Sequence, residues 1–186
     1  MKMKKIILGA IIVAEVLQAG SIGLNINSED LEVEGRVDLD SIVVYNRGTN
    51  YFLGLDYLHT NDDNLFKVGF GASNTLKSAR GVTFSFGLES VIADNYFALP
   101  LFAQAALRLP FDEEIPATSL KAEVAYAPSV LSFSDADTYL EYRFEAGMEV
   151  ISNIHIYGGY RNIDTDYEAY NYNLNDSWYG GLKISF

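Results

Sequence analysis

The sequence predicts an all-β chain: a transmembrane, up-and-down antiparallel β-barrel of ten strands, with eight as the alternative count, behind an N-terminal signal peptide. Three observations point there. Segment after segment alternates apolar and polar residues, the pattern of a strand with two unlike faces. Turn-rich polar stretches separate these segments. The chain ends on Trp-Tyr-Gly-Gly-Leu-Lys-Ile-Ser-Phe, which puts Trp178, Gly180, Leu182, Ile184 and Phe186 on one face and Tyr179, Gly181, Lys183 and Ser185 on the other. A last strand ending in Phe resembles the assembly signal by which the barrel-assembly machinery recognises bacterial outer-membrane barrels.

The first segment is a targeting sequence. Lys2, Lys4 and Lys5 precede an apolar run from Ile6 to Leu17 that is broken only by Glu15, and small residues follow. This is the n-region and h-region of an export signal, with cleavage expected after Ala19 and a mature barrel over 20–186. The run is shorter than the roughly 20 residues a spanning helix needs. Removing these residues leaves 10 bases and 24 acids, a charge of −14.

The strands then follow in order. Ile22, Leu24 and Ile26 form a short first strand, ended by Asn27-Ser28-Glu29-Asp30. Leu31, Val33, Gly35, Val37 and Leu39 alternate with Glu32, Glu34, Arg36 and Asp38. A charge at every second position fits a strand with lipid on one face and a polar lumen on the other. The third strand carries Tyr51 to Tyr57, with Asp56 inside. The fourth runs Phe66 to Ala72, with Lys67 on its polar face, and the fifth Val82 to Leu88, followed by Glu89. Leu99 to Leu109 is the sixth, with Gln104 and Arg108 polar, and Leu120 to Tyr126 the seventh, with Lys121 and Glu123. Tyr139 to Val150 alternates most regularly, its polar face being Glu141, Arg143, Glu145, Gly147 and Glu149. Ile154 to Arg161 is the ninth, and Asn162 to Asp176 reads as a long loop before the terminal strand. Most segments are near the roughly 9–11 residues that cross a bilayer at a tilt. An even count brings both termini to the periplasmic side.

Four segments carry a family resemblance: Leu120 to Ser129, Tyr139 to Gly147, Tyr157-Gly-Gly-Tyr-Arg161, and Trp178 to Phe186. In order and spacing they resemble the YfaZ family of small outer-membrane proteins, most closely from Leu99 onward. The resemblance implies a signal-bearing, porin-like barrel in the outer membrane of a Gram-negative bacterium, with no assigned biochemical role and no catalytic motif.

The polar faces define a candidate lumen network of Glu32, Glu34, Asp38, Asp56, Glu89, Glu123, Glu141, Glu145 and Glu149 with Arg36, Lys67, Arg108, Lys121, Arg143, Arg161 and Lys183. Nine acids against seven bases is a mixed lining. Barrels of about eight strands fill with side chains, whereas open channels come with about 16–18. The reading is therefore a charge-paired, plugged lumen and an envelope structural or surface-interaction role, with a narrow channel as the alternative.

Other functions leave little trace. The chain has no cysteine and a charge of −12, which excludes thiolate metal sites and argues against nucleic acid as a partner. No cofactor fingerprint, G-x-S-x-G or H-E-x-x-H occurs, so no enzyme is expected. His59, near Asp56, Asp62 and Asp63, is a polar rim residue, and His155 belongs to the lumen. Asp62, Asp63, Asp135, Asp137, Asp164, Asp166, Glu168 and Asp176 gather on the outer side, chiefly as solvated loop charge rather than a specific metal site, although such carboxylates can take divalent cations that also bridge lipopolysaccharide. Membrane lipid and lipopolysaccharide are the expected partners. Tyr167, Tyr170, Tyr172, Trp178 and Tyr179 are candidates for an interfacial aromatic girdle.

Overall fold

The computed structural model describes residues 19–39, 48–60, 63–76, 79, 81–109 and 116–186. Most of the expected signal peptide lies outside these residues, as do Asp62, Pro110 and much of the 40–50, 73–80 and 110–116 connections.

Among these described residues twelve strands form one antiparallel sheet: β1 (Gly20–Ile26), β2 (Leu31–Asp38), β3 (Thr49–His59), β4 (Asn64–Thr75), β5 (Val82–Ala93), β6 (Tyr96–Ala98), β7 (Leu101–Arg108), β8 (Thr118–Ala127), β9 (Ser132–Ser134), β10 (Ala136–Ile151), β11 (Ile154–Tyr167) and β12 (Asn173–Ser185). Ten of them close a ring, in the order β1-β2-β3-β4-β5-β7-β8-β10-β11-β12 and back to β1. Among the described residues closure leaves no wall strand with an unpaired edge, which a barrel in lipid requires. The terminal residue seals the seam. Phe186 N–H donates to the Gly20 carbonyl and Gly20 N–H to the Phe186 carbonyl, both at 3.0 Å.

Each wall strand alternates as its sequence demands. Leu24, Leu55, Phe70, Phe86, Val124, Phe144, Ile156 and Leu182 point outward and are exposed. Residues one position away point inward. The Ser152-Asn153 hairpin and the Asp94-Asn95 turn each use an Asn in the left-handed region, at φ 70° and 54°.

Two stretches depart from the sequence reading. Asn162 to Asp176 is mostly strand, because β11 runs to Tyr167 and β12 begins at Asn173, leaving a five-residue connection at 168–172. The Leu99–Leu109 strand begins at Leu101. Ahead of it β6 pairs with the end of β5 and with β9, which follows a 3-10 turn (Ser129–Leu131) in the expected loop 128–137. Together these pieces raise the wall into a collar at the end opposite the termini, here the loop end. The collar turns apolar residues inward. Leu58, Leu65, Val91, Tyr96, Ala98, Ala127, Tyr139, Ile163 and Leu174 form one buried core across it.

Candidate functional site in the barrel lumen

Below the collar the lumen is charged. Arg143, on β10, sits at the centre of the network. Its guanidinium reaches Glu32 at 2.7 Å and Glu34, both across the barrel on β2, and Glu141 on its own strand at 3.1 Å. Lys67, on β4, crosses to Glu141 at 2.9 Å. Arg161 Nη1 lies 2.6 Å from Glu32, and its Nε donates to Asn175 at 3.0 Å. Glu32, Glu141, Arg143 and Arg161 are all nearly inaccessible to solvent. Buried charges like these are tolerable only when paired and hydrogen-bonded. Neutral donors add to these pairs: Asn25 donates to Glu32 at 2.6 Å and to Glu34 at 2.9 Å, and Tyr139 to Glu141 at 2.6 Å. Tyr179 donates to Glu145 at 2.8 Å, and Tyr157 donates to the side-chain amide oxygen of Asn25.

The rest of the candidate network is arranged toward the termini. Lys121 pairs with Glu145 at 2.8 Å and Lys183 with Glu34 at 3.6 Å. Arg36 pairs with Asp38 at 3.1 Å along β2, and its guanidinium lies 3.7 Å over the Phe52 ring. Arg108 and His155 meet Glu149 at the rim, at 3.6 and 3.8 Å. Every base of the network thus has an acid within 4 Å. Asp56, Glu89 and Glu123 have no such base among the described residues. All three line a cavity of about 130 Å³ beside the Arg143 cluster. Phe52 and Phe102 bound that cavity, over glycines that make room for them: a Cβ on Gly71 would stand 2.5 Å from the Phe52 ring and 2.7 Å from Phe102.

Asn25, Tyr139, Tyr157, Asn175 and Tyr179 were missed as network members. Their signal was positional, since Asn25, Tyr157 and Tyr179 occupy inward sites of strands read correctly. Tyr179 is thereby corrected as a girdle residue, for it is buried in the lumen. Trp178, its neighbour, points outward, 76% exposed, and packs on Tyr160 with the rings 5.3 Å apart; Tyr142 lies beyond Tyr160 at 6.1 Å. Tyr167, Tyr170 and Tyr172 gather at the loop end. Gly180, Leu182, Ile184 and Phe186, the rest of the terminal motif, are likewise exposed on the outer wall.

The loop-end acids have separate partners. Asp63 accepts from Tyr172 at 2.6 Å, Asp137 from Ser129 at 2.7 Å, Asp164 from Asn173 at 2.7 Å, Asp166 from Thr138 at 3.1 Å, and Asp176 from Tyr160 at 2.7 Å. Among the described residues no group of three His, Asp or Glu side chains could hold a metal ion. His59 is exposed and contacts Asn64 at 2.9 Å, whereas Asp56 faces the lumen, so β3 sends the two to opposite sides.

Closed ten-strand wall, apolar exterior and charge-paired interior define a small β-barrel of the outer-membrane type. The chain belongs to the YfaZ family: the family model, described as YfaZ precursor, matches residues 3–186. Among solved structures, the KdgM porin in complex with disordered oligogalacturonate is similar at TM-score 0.52 and 8% identity, over 90% of this chain and 99% of that one. Another KdgM porin structure gives 0.44 and 10%, over 90% and 99%. At such identities the likeness is one of fold. No curated protein sequence matches the chain.

Proposed function

We propose that the protein is an outer-membrane barrel whose lumen is closed at rest, and that it serves the envelope as a structural or surface-interaction element rather than as an enzyme. The observation that carries this reading is the apolar layer at the loop end. Val91, Tyr96, Tyr139 and Ile163 are at most 2% exposed there, directly over a charged layer tied across the barrel by Arg143 and Lys67. A solute crossing this lumen would have to break both layers. Export of the chain, and with it an outer-membrane location, is supported by the family description as a precursor and by the lipid-compatible outer wall. The acidic loop end suits contacts made through divalent cations that also bind lipopolysaccharide phosphates.

Swelling of proteoliposomes in a small neutral sugar tests the closed state. Vesicles carrying refolded protein should swell no faster than empty ones, and rapid swelling would refute closure. The barrel should also fractionate with outer membranes and show heat-modifiable electrophoretic mobility.

A narrow channel is the second reading, favoured by the cavity beside the Arg143 network and by the porin-like fold. Oligogalacturonate, the polyanion bound by the similar KdgM porin, is a poor match for a lumen with more acids than bases.

A further inference from the structure

The outer wall turns from apolar to polar at different distances along its strands. Counted from the end that holds the termini, Ile92 on β5 and Asp164 on β11 are equally far along, ten residues after Val82 and ten after Ile154. Both point away from the axis. One flank is thus still apolar where the other has become acidic. The apolar flank carries on into the collar. Ile92 pairs with Phe97 on β6 and Phe97 with Phe133 on β9, so the three form one outward row, with the Phe97 and Phe133 rings 5.7 Å apart. Ile92 also pairs with Phe66 on β4, which belongs to the wall. Leu101, at the start of β7, is 60% exposed, and Val130, in the turn before β9, is 81% exposed. Among the described residues no polar side chain interrupts the row. Polar residues crown it instead: Asp94, Asn95, Ser134 and Asp135 are exposed at the strand ends, where Asp135 N–H donates to the Asn95 carbonyl at 3.2 Å. An apolar surface of this kind is costly in water and marks a contact with lipid or protein.

We propose that this flank of the collar is seated in the outer leaflet of the membrane, with lipid covering Ile92, Phe97, Val130 and Phe133, while the β11–β12 flank meets water. Lipid is the occupant because the row continues the lipid-facing wall from strand neighbour to strand neighbour, through Phe66 and Leu101. A patch made for a protein partner is ringed by a polar rim. This one has its polar edge above and opens below into the apolar wall, as a surface sunk into a bilayer does. The seat rests on the outer-membrane reading and goes beyond it. On the inner side of the same short strand, Tyr96 and Ala98 belong to the core that seals the lumen. β6 therefore presents one face to the seal and the other to lipid, and the bilayer backs the closed state.

The chain's one tryptophan gives the test its reference, since Trp178 lies on the outer wall of the opposite flank. In a Trp178→Phe background, Phe133→Trp, Val130→Trp and Asp164→Trp each place the sole indole at a chosen point. The proteins are refolded into phosphatidylcholine vesicles whose acyl chains carry bromine close to the headgroup. Indole emission is compared with that in unbrominated vesicles, and heat-modifiable mobility confirms that each variant is folded. The indoles of Phe133→Trp and Val130→Trp should lose as large a fraction of their emission as Trp178 does in the wild type. Asp164→Trp should lose almost none. Quenching of Trp178 without quenching at positions 133 and 130 would overturn the seat and leave the flank to a protein partner. Equal quenching at 133 and 164 would overturn it as well, because the two flanks would then share one environment. Loss of quenching at Trp178 itself is a different failure, and would remove the membrane barrel on which the seat rests.

Discussion

The lower and upper halves of β11 have opposite faces. From Ile154 to Arg161, Ile156 and Gly158 point out and Tyr157 and Arg161 point in, apolar outside and polar inside. From Ile163 to Tyr167 the pattern inverts. Ile163 and Thr165 are fully buried toward the axis, while Asp164 and Asp166 face away and bond to Asn173 and Thr138. One strand thus serves two environments. Where lipid surrounds the wall, polar groups must go inside; where water surrounds it, the inside can be an ordinary hydrophobic core. The collar is a small soluble-type domain standing on a membrane-type barrel.

The largest effect expected from breaking this arrangement is at Arg143. Arg143→Met leaves Glu32, Glu34 and Glu141 facing one another without their shared cation, and removing one partner of a buried pair costs about 3–5 kcal/mol. Urea titration followed by heat-modifiable mobility should show most of the folded band lost, and a variant as stable as wild type would show that the network is not structural. Ile163→Ala tests the collar. Truncating a packed aliphatic residue costs about 2–5 kcal/mol, whereas Asp164→Ala next to it should stay within about 0.5 kcal/mol.

On the membrane half the asymmetry reverses. Leu182→Arg places a charge on the outer wall and should cost about 2–4 kcal/mol if that position lies near the midplane, less toward an interface. Equal tolerance of arginine at 182 and at Asp164 would erase the distinction between the two zones.

The smallest expected effect is at Asp30, in the turn between β1 and β2. Its partial burial favours the neutral acid, but hydrogen bonds from Asn175, Asn27 and Ser177 and the charge of Arg161 outweigh it and hold the carboxyl below its usual range. Its stabilisation is therefore complete above the unfolded value near 4 and is lost as pH falls through the lower folded value. Asp30→Asn should lower the unfolding midpoint slightly at pH 7 and converge with wild type in strong acid. A gap between the two that stays constant with pH would contradict the assignment.

The ten wall strands were legible because each carries its own two-residue period. The collar was not. Tyr96 to Ala98 and Ser132 to Ser134 are too short to show a period, and each gains its strand partner only from a distant part of the chain. Asn162 to Asp176 read as loop because its outward Asp and Asn residues look like turn composition, while Ile163, Thr165 and Leu174 are too sparse to declare an inner face. The pairing partners were also hidden. Nothing local says that Lys67 prefers Glu141, 74 residues away, to the Asp56 beside it, and the vacant carboxylates of the lumen follow from that choice.

Single-channel recording of the refolded protein in a planar bilayer tests the closed lumen most directly. The two-layer seal predicts a flat baseline at moderate voltage, even with enough insertions for a porin to give many steps. Reproducible unitary steps from the wild-type protein, absent from protein-free controls, would contradict it and make the narrow channel the correct description.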